Sequence, residues 1–265
     1  MDHRDFIKLS RRLQMSADMV TPGNIVADVG CDHAHTVIYL VKTGIAPKAV
    51  AMDVGEGPLS HADANIRLYG LNGLIETRLS DGLMELKPGE VDTVIIAGMG
   101  GTLTRNILEN SPEVVGTVKE LILQPQSDPD LVRRFLREHG FEIVLEDACF
   151  EDGKYYNSMK AVHSDDEGVS GPETDKTGLS EEETEKKELR ECMTLEQDMY
   201  DRFGKYLLEH KNPVLHDMLM VLKEKNELIL TGIKASGGEG SKEKQDFFEK
   251  ERKMILKALE IMDEA

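Results

Sequence analysis

Two periodicities divide the chain. Up to residue 163, short apolar runs read as strands over 25–29, 48–53, 74–79, 91–97 and 118–124. Between them lie helical patterns. One covers 36–43 and stops at Gly44. The next opens at Gly57-Pro58-Leu59, where a first helical turn tolerates proline, and stops near Gly70. Two more cover 102–110 and 129–139. The run 91–97 is the most apolar, as expected of a central strand covered on both faces. Segments 141–149 and 155–163 meet through Glu151-Asp152-Gly153 and read as a β-hairpin. Ahead of the first strand, Phe6, Leu9, Leu13, Ala17 and Val20 recur at spacings of three and four, which predicts a helix from Arg4 to Val20, broken by Thr21-Pro22-Gly23. Five strand–helix alternations followed by a hairpin imply an α/β fold: a parallel sheet with helices on both faces and an antiparallel pair at one edge.

Beyond residue 163 the pattern changes. From Ser164 to about Ser180 the chain is mostly Gly, Ser, Asp and Glu with one proline, and reads as a disordered linker. From Glu181 onward it is helical. Leu215, Leu219, Leu222, Ile229 and Ile233 line one stretch (Pro213 to Ala235), and Phe248, Ile255, Leu259 and Met262 line another (Lys242 to Met262), with a glycine-rich turn at 236–240 between them. Two such helices form an antiparallel hairpin, long enough for a coiled-coil arm. The expected organisation is a ligand-binding domain over 1–163, an acidic linker over 164–190 and a helical arm over 191–265.

Composition narrows this picture. With 265 residues, 40% hydrophobic and 31% charged, the chain reads as soluble and globular. No apolar run approaches the ~20 residues of a membrane span. The charged N-terminus lacks a signal-peptide core. Cys31, Cys149 and Cys192 are few and odd in number, so reduced thiols in the cytoplasm are expected rather than a disulfide framework. The net charge of −18 argues against nucleic acid only superficially, because charge is unevenly spread. From Ser164 to Glu191 eleven acids meet four bases, whereas from Met1 to Gln14 four bases meet two acids. Lys8, Arg11 and Arg12 lie off the apolar stripe of the first helix. They form either a solvated face or an edge that contacts phosphates.

The chemistry-bearing residues follow the strands. Consecutive parallel strands would bring their carboxyl-end turns, Asp28 to His35, Asp53, Asp81-Gly82 and Ala97 to Gly101, to one crevice. Asp53, 23 residues past Gly30, stands where an acid accepts hydrogen bonds from ribose hydroxyls in doubly wound sheets. The first turn, Gly30-Cys31-Asp32-His33-Ala34-His35, lacks the further glycines of a dinucleotide fingerprint, and Asp32 adds negative charge where a pyrophosphate would sit. That disfavours NAD and suits a ligand with a positive centre, such as the methylsulfonium of S-adenosylmethionine. His33-Ala34-His35 invites a metal reading, but the remaining histidines supply no second ligand motif, so no metal is expected. Ala97-Gly98-Met99-Gly100-Gly101 is either a tight turn packed on the following helix or a site wall that leaves room for a flat ring.

Several motifs occur together in order and spacing: Lys8-Leu9-Ser10-Arg11-Arg12-Leu13, Ala27-Asp28-Val29-Gly30-Cys31-Asp32-His33-Ala34, Gly57-Pro58, Ser80-Asp81-Gly82-Leu83, Ile96 to Gly101, and Leu121-Ile122-Leu123-Gln124-Pro125. With Phe203 to Leu208 and Lys211-Asn212-Pro213-Val214 they resemble the TrmK family, bacterial S-adenosylmethionine-dependent tRNA (adenine-22 N1)-methyltransferases. The chain departs from the family pattern at His35, where an aromatic residue is usual, and at Asp53, where glutamate is common. The resemblance implies a Rossmann-like class I methyltransferase sheet, seven-stranded and mostly parallel with an antiparallel edge hairpin, plus an N-terminal helix and a C-terminal helical arm. It further implies roles for the residues. Asp28 and Gly30 shape the methionine pocket, Asp53 binds ribose, and Asp81 with Gly82 flanks the adenine ring. Ala97, Gly98 and Met99 border cofactor and target base. Asp32, and less directly His33, act on the target adenine. Lys8, Arg11 and Arg12 contact tRNA phosphates. Asp32 could instead cap the following helix, and His33 could be an ordinary turn residue. Two rival functions share the pocket: a non-catalytic S-adenosylmethionine-binding regulator and a small-molecule methyltransferase.

Overall fold

The computed structural model describes residues 7–164, 193–236 and 241–264. The chain divides between Asp165 and Asp166 into two compact units. The expected linker lies almost wholly outside the described residues, as do Arg4 to Phe6 and the glycine turn at 237–240.

The first unit is one seven-stranded sheet. Its strands are β1 (Val26–Val29), β2 (Ala49–Asp53), β3 (Ile75–Leu79), β4 (Thr93–Gly100), β5 (Glu120–Ser127), β6 (Phe141–Glu151) and β7 (Lys154–His163). They lie in the order β3-β2-β1-β4-β5-β7-β6, with β7 antiparallel to both neighbours. The helices are α1 (Arg11–Asp18), α2 (His35–Lys42), α3 (Glu56–Leu68), α4 (Gly101–Glu109), the short α5 (Pro112–Val115) and α6 (Pro129–Glu138). Side chains alternate across a strand, so each strand feeds two cores. Val26, Ala49, Ala51, Ile95 and Ile122 join residues of α1 and α2 on one face. Val29, Met52, Ile96, Leu121 and Leu123 join residues of α4 and α6 on the other.

Three boundaries differ from expectation, each through a tertiary contact. The first helix starts at Arg11, not Arg4. Ser10 caps it, its hydroxyl accepting from the Leu13 N–H at 3.4 Å, and the Glu151 carboxylate of β6 accepts from the N–H groups of Arg11 (2.7 Å) and Arg12 (3.3 Å). β4 does not end at Ala97 but runs on to Gly100, with register shifts on both sides of Met99 and Gly98 at φ +82°. β5 passes through Pro125. Its pairing with β7 stops at Leu123, so that flank no longer demands a backbone N–H.

The second unit comprises α7 (193–203), α8 (Lys205–Glu209), α9 (Pro213–Ser236) and α10 (Ser241–Asp263), and α9 packs on α10. Asn212 caps α9 by accepting from the N–H groups of Val214 and Leu215. The α9 stripe runs through Leu215, Leu219, Asn226 and Leu230. Ile229, expected inside, is 40% exposed, while Leu230 is 6% exposed. The stripe reaches Asn226 seven residues after Leu219, and its next helical step of four falls on Leu230. Asn226 is buried and donates to the Phe248 carbonyl at 3.1 Å. Among the described residues no helix is long and apolar enough to cross a membrane.

Candidate functional site

The strand order reverses between β1 and β4, and ligands of open α/β sheets bind outside the carboxyl ends of the strands at such a point. Asp28 and Asp53 lie on the α1–α2 side of adjacent parallel strands near those ends. Asp28 is 4% exposed, and its carboxyl makes no hydrogen bond to another described residue. Burial, and then the neighbouring charge of Asp53, push its pKa up to about 7. Asp53 is half-buried. One oxygen accepts from the Gly55 N–H at 2.9 Å and the other is free among the described residues. Val54 beside it is 72% exposed, an apolar surface at the strand tip.

Gly30 follows β1 at φ +74°, and a Cβ there would collide with the terminal methyl of Met99. Its N–H and that of Cys31 both donate to the Met52 carbonyl, tying the turn to β2. The Cys31 thiol is pushed up by burial and then by the charges of Asp28, Asp53 and Asp32, so it stays protonated among three carboxyls. Asp32 and Ala34 both take left-handed backbone, at φ +48° and +57°, which aspartate tolerates and alanine adopts only at a cost. Ala34 occupies the start of α2 with no side-chain cap, so Asp32 does not cap that helix. Its side chain is 72% exposed and lies 3.6 Å from His33 Nε2. The His33 carbonyl accepts from Asn65 Nδ2, and the ring stacks between those of His35 and His61 at 5.4 and 5.3 Å. Burial, and then the charge of His33, depress the His35 pKa, partly offset by Asp32. Among the described residues no group of three or more His, Cys, Asp and Glu side chains is placed to hold a metal ion.

Asp81 and Gly82 separate in role. Ser80 donates its N–H to the Asp53 carbonyl at 2.9 Å, which brings exposed Asp81 beside the β2 tip. Gly82 is buried, and a Cβ on it would fall 2.9 Å from Ile107 of α4, so its missing side chain makes room for that packing. The glycines of β4 divide likewise. Gly101 packs against the carbonyls of Ser127 and Asp128, leaving no room for a side chain. Gly98 opens toward Arg12 Nη1 and Gln126 Nε2, while Met99 reaches to Gly30.

The basic trio is not one surface. Lys8 and Arg11 are exposed, but Arg12 is half-buried, with Nη1 3.3 Å from Gln124 Oε1 and its guanidinium 5.7 Å from the centre of the Tyr156 ring. Gln124 is fully buried and donates to the Arg12 carbonyl, Ser16 Oγ and Ser158 Oγ at 2.7–2.9 Å. Sequence reasoning missed Val54, His61, Gln126 and Tyr156. Of these only Gln126 stood near a signal, one residue past the motif Leu121 to Pro125.

Residues 9–159 match the methyltransferase domain family. The tRNA (adenine(22)-N(1))-methyltransferase of Bacillus subtilis is 37% identical over 159 residues, covering 60% of this chain and 67% of that protein. The crystal structure of the B. subtilis m1A22 tRNA methyltransferase TrmK superposes with a TM-score of 0.77 at 28% identity, over 96% of this chain and all of that one. A Streptococcus pneumoniae protein crystallised with S-adenosyl-L-methionine superposes with a TM-score of 0.75 at 30% identity, over 95% of this chain and all of that one. The chain belongs to the methyltransferase domain family and, within it, to the TrmK family.

Proposed function

We propose that this protein transfers the methyl group of S-adenosylmethionine to N1 of an adenine in tRNA, at position 22. The observation that carries the reading is Asp28: a buried carboxyl with no hydrogen-bond partner among the described residues, beside Asp53, at the switch point of the sheet. Burying an acid this way is costly unless a positive group joins it. The residues fit the cofactor. The left-handed turn at Gly30 follows the same strand end as Asp28, the second oxygen of Asp53, unbonded among the described residues, suits a ribose hydroxyl, and exposed Val54 offers an apolar face for an adenine ring, with Asp81 at its edge.

S-adenosylmethionine supplies an electrophilic methyl on a sulfonium. Asp28 and the backbone around Gly30 hold its amino-acid part, and Asp28 in its ionised form balances the positive charge. N1 of adenine is largely unprotonated at neutral pH, so no strong base is needed. The chain's contribution is alignment, which supplies up to ~7–11 kcal/mol in favourable systems. N1 lies on the pairing edge, so the base must leave its stack to reach the end of β4 beside Ala97 and Met99. Asp32, exposed at the rim and not used as a cap, accepts from the N6 amino group and stabilises the ring as it becomes cationic. His33 braces Asp32. Lys8, just ahead of α1, and Arg11 at its start contact RNA phosphates from an exposed edge. The 191–265 arm helps grip the folded RNA, with 164–190 as the link. Two buried free thiols and a tRNA substrate fit a cytoplasmic location.

The test is direct. Incubation with labelled S-adenosylmethionine and bulk tRNA, followed by nuclease digestion, should yield labelled 1-methyladenosine. Label in small metabolites, or none in RNA, would refute the assignment.

A further inference from the structure

We propose that Arg12 and Gln126 form a phosphate site over Gly98 that holds the backbone of the nucleotide being methylated. This rests on the methyl-transfer reading above and adds to it a place for the acceptor strand.

Two donor nitrogens from separate elements converge on one spot. A Cβ at Gly98 would lie 3.5 Å from Gln126 Nε2 and 3.7 Å from Arg12 Nη1. Glycine leaves that space open, and its φ of +82° suits no other residue well. The Gln126 side chain is exposed and makes no hydrogen bond to another described residue. The Arg12 guanidinium hydrogen-bonds only the neutral Gln124 side chain; Glu151 feels its charge, but no carboxylate oxygen lies within 4.0 Å of it among the described residues. A half-buried cation whose carboxylate neighbour stays beyond ion-pair distance keeps charge to offer an incoming anion. A guanidinium and an amide facing the same small gap make a positive pocket that an anionic oxygen fits.

The pocket is built in advance. Gln124 has no exposed surface, and its amide nitrogen grips the Arg12 carbonyl, Ser16 and Ser158. Glu151 holds the backbone N–H groups of Arg11 and Arg12. Arg12 therefore leaves a fixed backbone and is steadied by Gln124 and Tyr156, which lowers the entropy lost on binding. None of these restraints reaches Arg11 or Lys8 side chains, which project freely.

Charge movement selects the phosphate over the base. Methyl transfer breaks the sulfur–methyl bond, forms the nitrogen–methyl bond and moves the positive charge from sulfur to the adenine ring. A guanidinium against that ring would oppose the reaction, whereas one on the nucleotide's phosphate holds the ring without meeting it. Position selects the RNA over the cofactor's carboxylate. Met99 projects to Gly30 on the cofactor side of the bulge, while Gly98 opens to α1 and the end of β5.

The full chain carrying Arg12→Ala, Gln126→Ala or both tests this. Equilibrium tRNA binding is measured from about 50 to 300 mM salt, together with S-adenosylmethionine affinity and the kcat and KM for 1-methyladenosine formation. Arg12→Ala should lower the slope of log K against log salt by about 0.7–0.9, the value for one lost phosphate contact. It should reduce kcat/KM at least ~30-fold with cofactor affinity within ~2-fold. The double variant should fall within ~3-fold of Arg12→Ala, because both side chains hold one anion. Arg12→Lys should restore the salt slope but under about a fifth of kcat, since an ammonium lacks the planar fork. An unchanged slope, fully multiplicative losses, or a parallel fall in cofactor affinity would overturn the site. In the last case the guanidinium serves the cofactor's carboxylate. Arg12→Gln, which keeps the stem, carries the same test should Arg12→Ala not fold. If the wild type forms no 1-methyladenosine, the reaction assignment fails, and the salt slope of binding alone still decides the phosphate site.

Discussion

Replacing Asp28 by asparagine removes an ionisable group while keeping its shape. In the folded chain burial and Asp53 raise the Asp28 pKa from 3.8 to about 7. Three pH units correspond to about 4 kcal/mol against holding the anion. A raised acid stabilises the fold below its unfolded pKa, and that contribution is lost as pH rises through the folded value. Between pH 5 and pH 8 the wild type, free of cofactor, should therefore lose about 2–3 kcal/mol through this one group. Asp28→Asn should lack that loss. Its buried amide costs about 1–3 kcal/mol, but equally at both pH values, so the difference between them isolates the ionisation. Urea unfolding of both proteins at pH 5 and pH 8 measures it. The same exchange should weaken S-adenosylmethionine binding by about 10- to 100-fold at pH 8, the worth of a hydrogen bond to a charged group. Wild-type affinity should also fall as pH drops below about 7, because Asp28 must lose its proton to meet a cation, and the variant should not follow. An identical pH dependence of stability in both proteins would refute the assignment of a strained, ligand-awaiting carboxyl. So would unaltered cofactor affinity.

Three further outcomes follow from the geometry. Asp53→Ala should loosen S-adenosylmethionine at least ~10-fold by calorimetry, because its free oxygen has no substitute; an unchanged dissociation constant would exclude the ribose role. Asp32→Ala should bind the cofactor within ~3-fold of wild type yet lose ~100-fold or more in single-turnover rate, and retained turnover would leave the carboxylate as mere surface. Gly101→Ala should destabilise the first unit by about 3 kcal/mol or more in urea, since its Cβ would fall 2.6 Å from the Ser127 carbonyl; loss below 1 kcal/mol would mean the β5–α6 turn can yield.

Much of the architecture was legible from residue order. Apolar runs of strand length such as 91–97, each followed by a helical pattern, admit few arrangements once parallel connections must be right-handed and short. The acids at 28 and 53 and the glycine at 30 were visible as strand-end residues for the same reason. A strand's end is a local property, and the sheet brings successive ends to one edge. Helix and strand limits that depend on distant partners were not legible. Glu151 moves the start of α1, and the loss of β7 as a neighbour lets β5 continue through Pro125.

Which way a side chain points was decided only by the fold. Arg11 and Arg12 are alike in sequence, yet one meets solvent and the other the Gln124 cluster, because one residue turns a helix by about 100°. Gly82, Gly98 and Gly101 are equally small, but Ile107, the α1 donors and the Ser127–Asp128 carbonyls give each a different neighbour. His61 joins His33 and His35 only because α3 lies beside α2. Periodicity and strand ends are set by residues within a few positions of each other, so the order of amino acids determines them. Burial, charge pairing and convergence depend on groups a hundred residues apart, so they exist only once the sheet has closed.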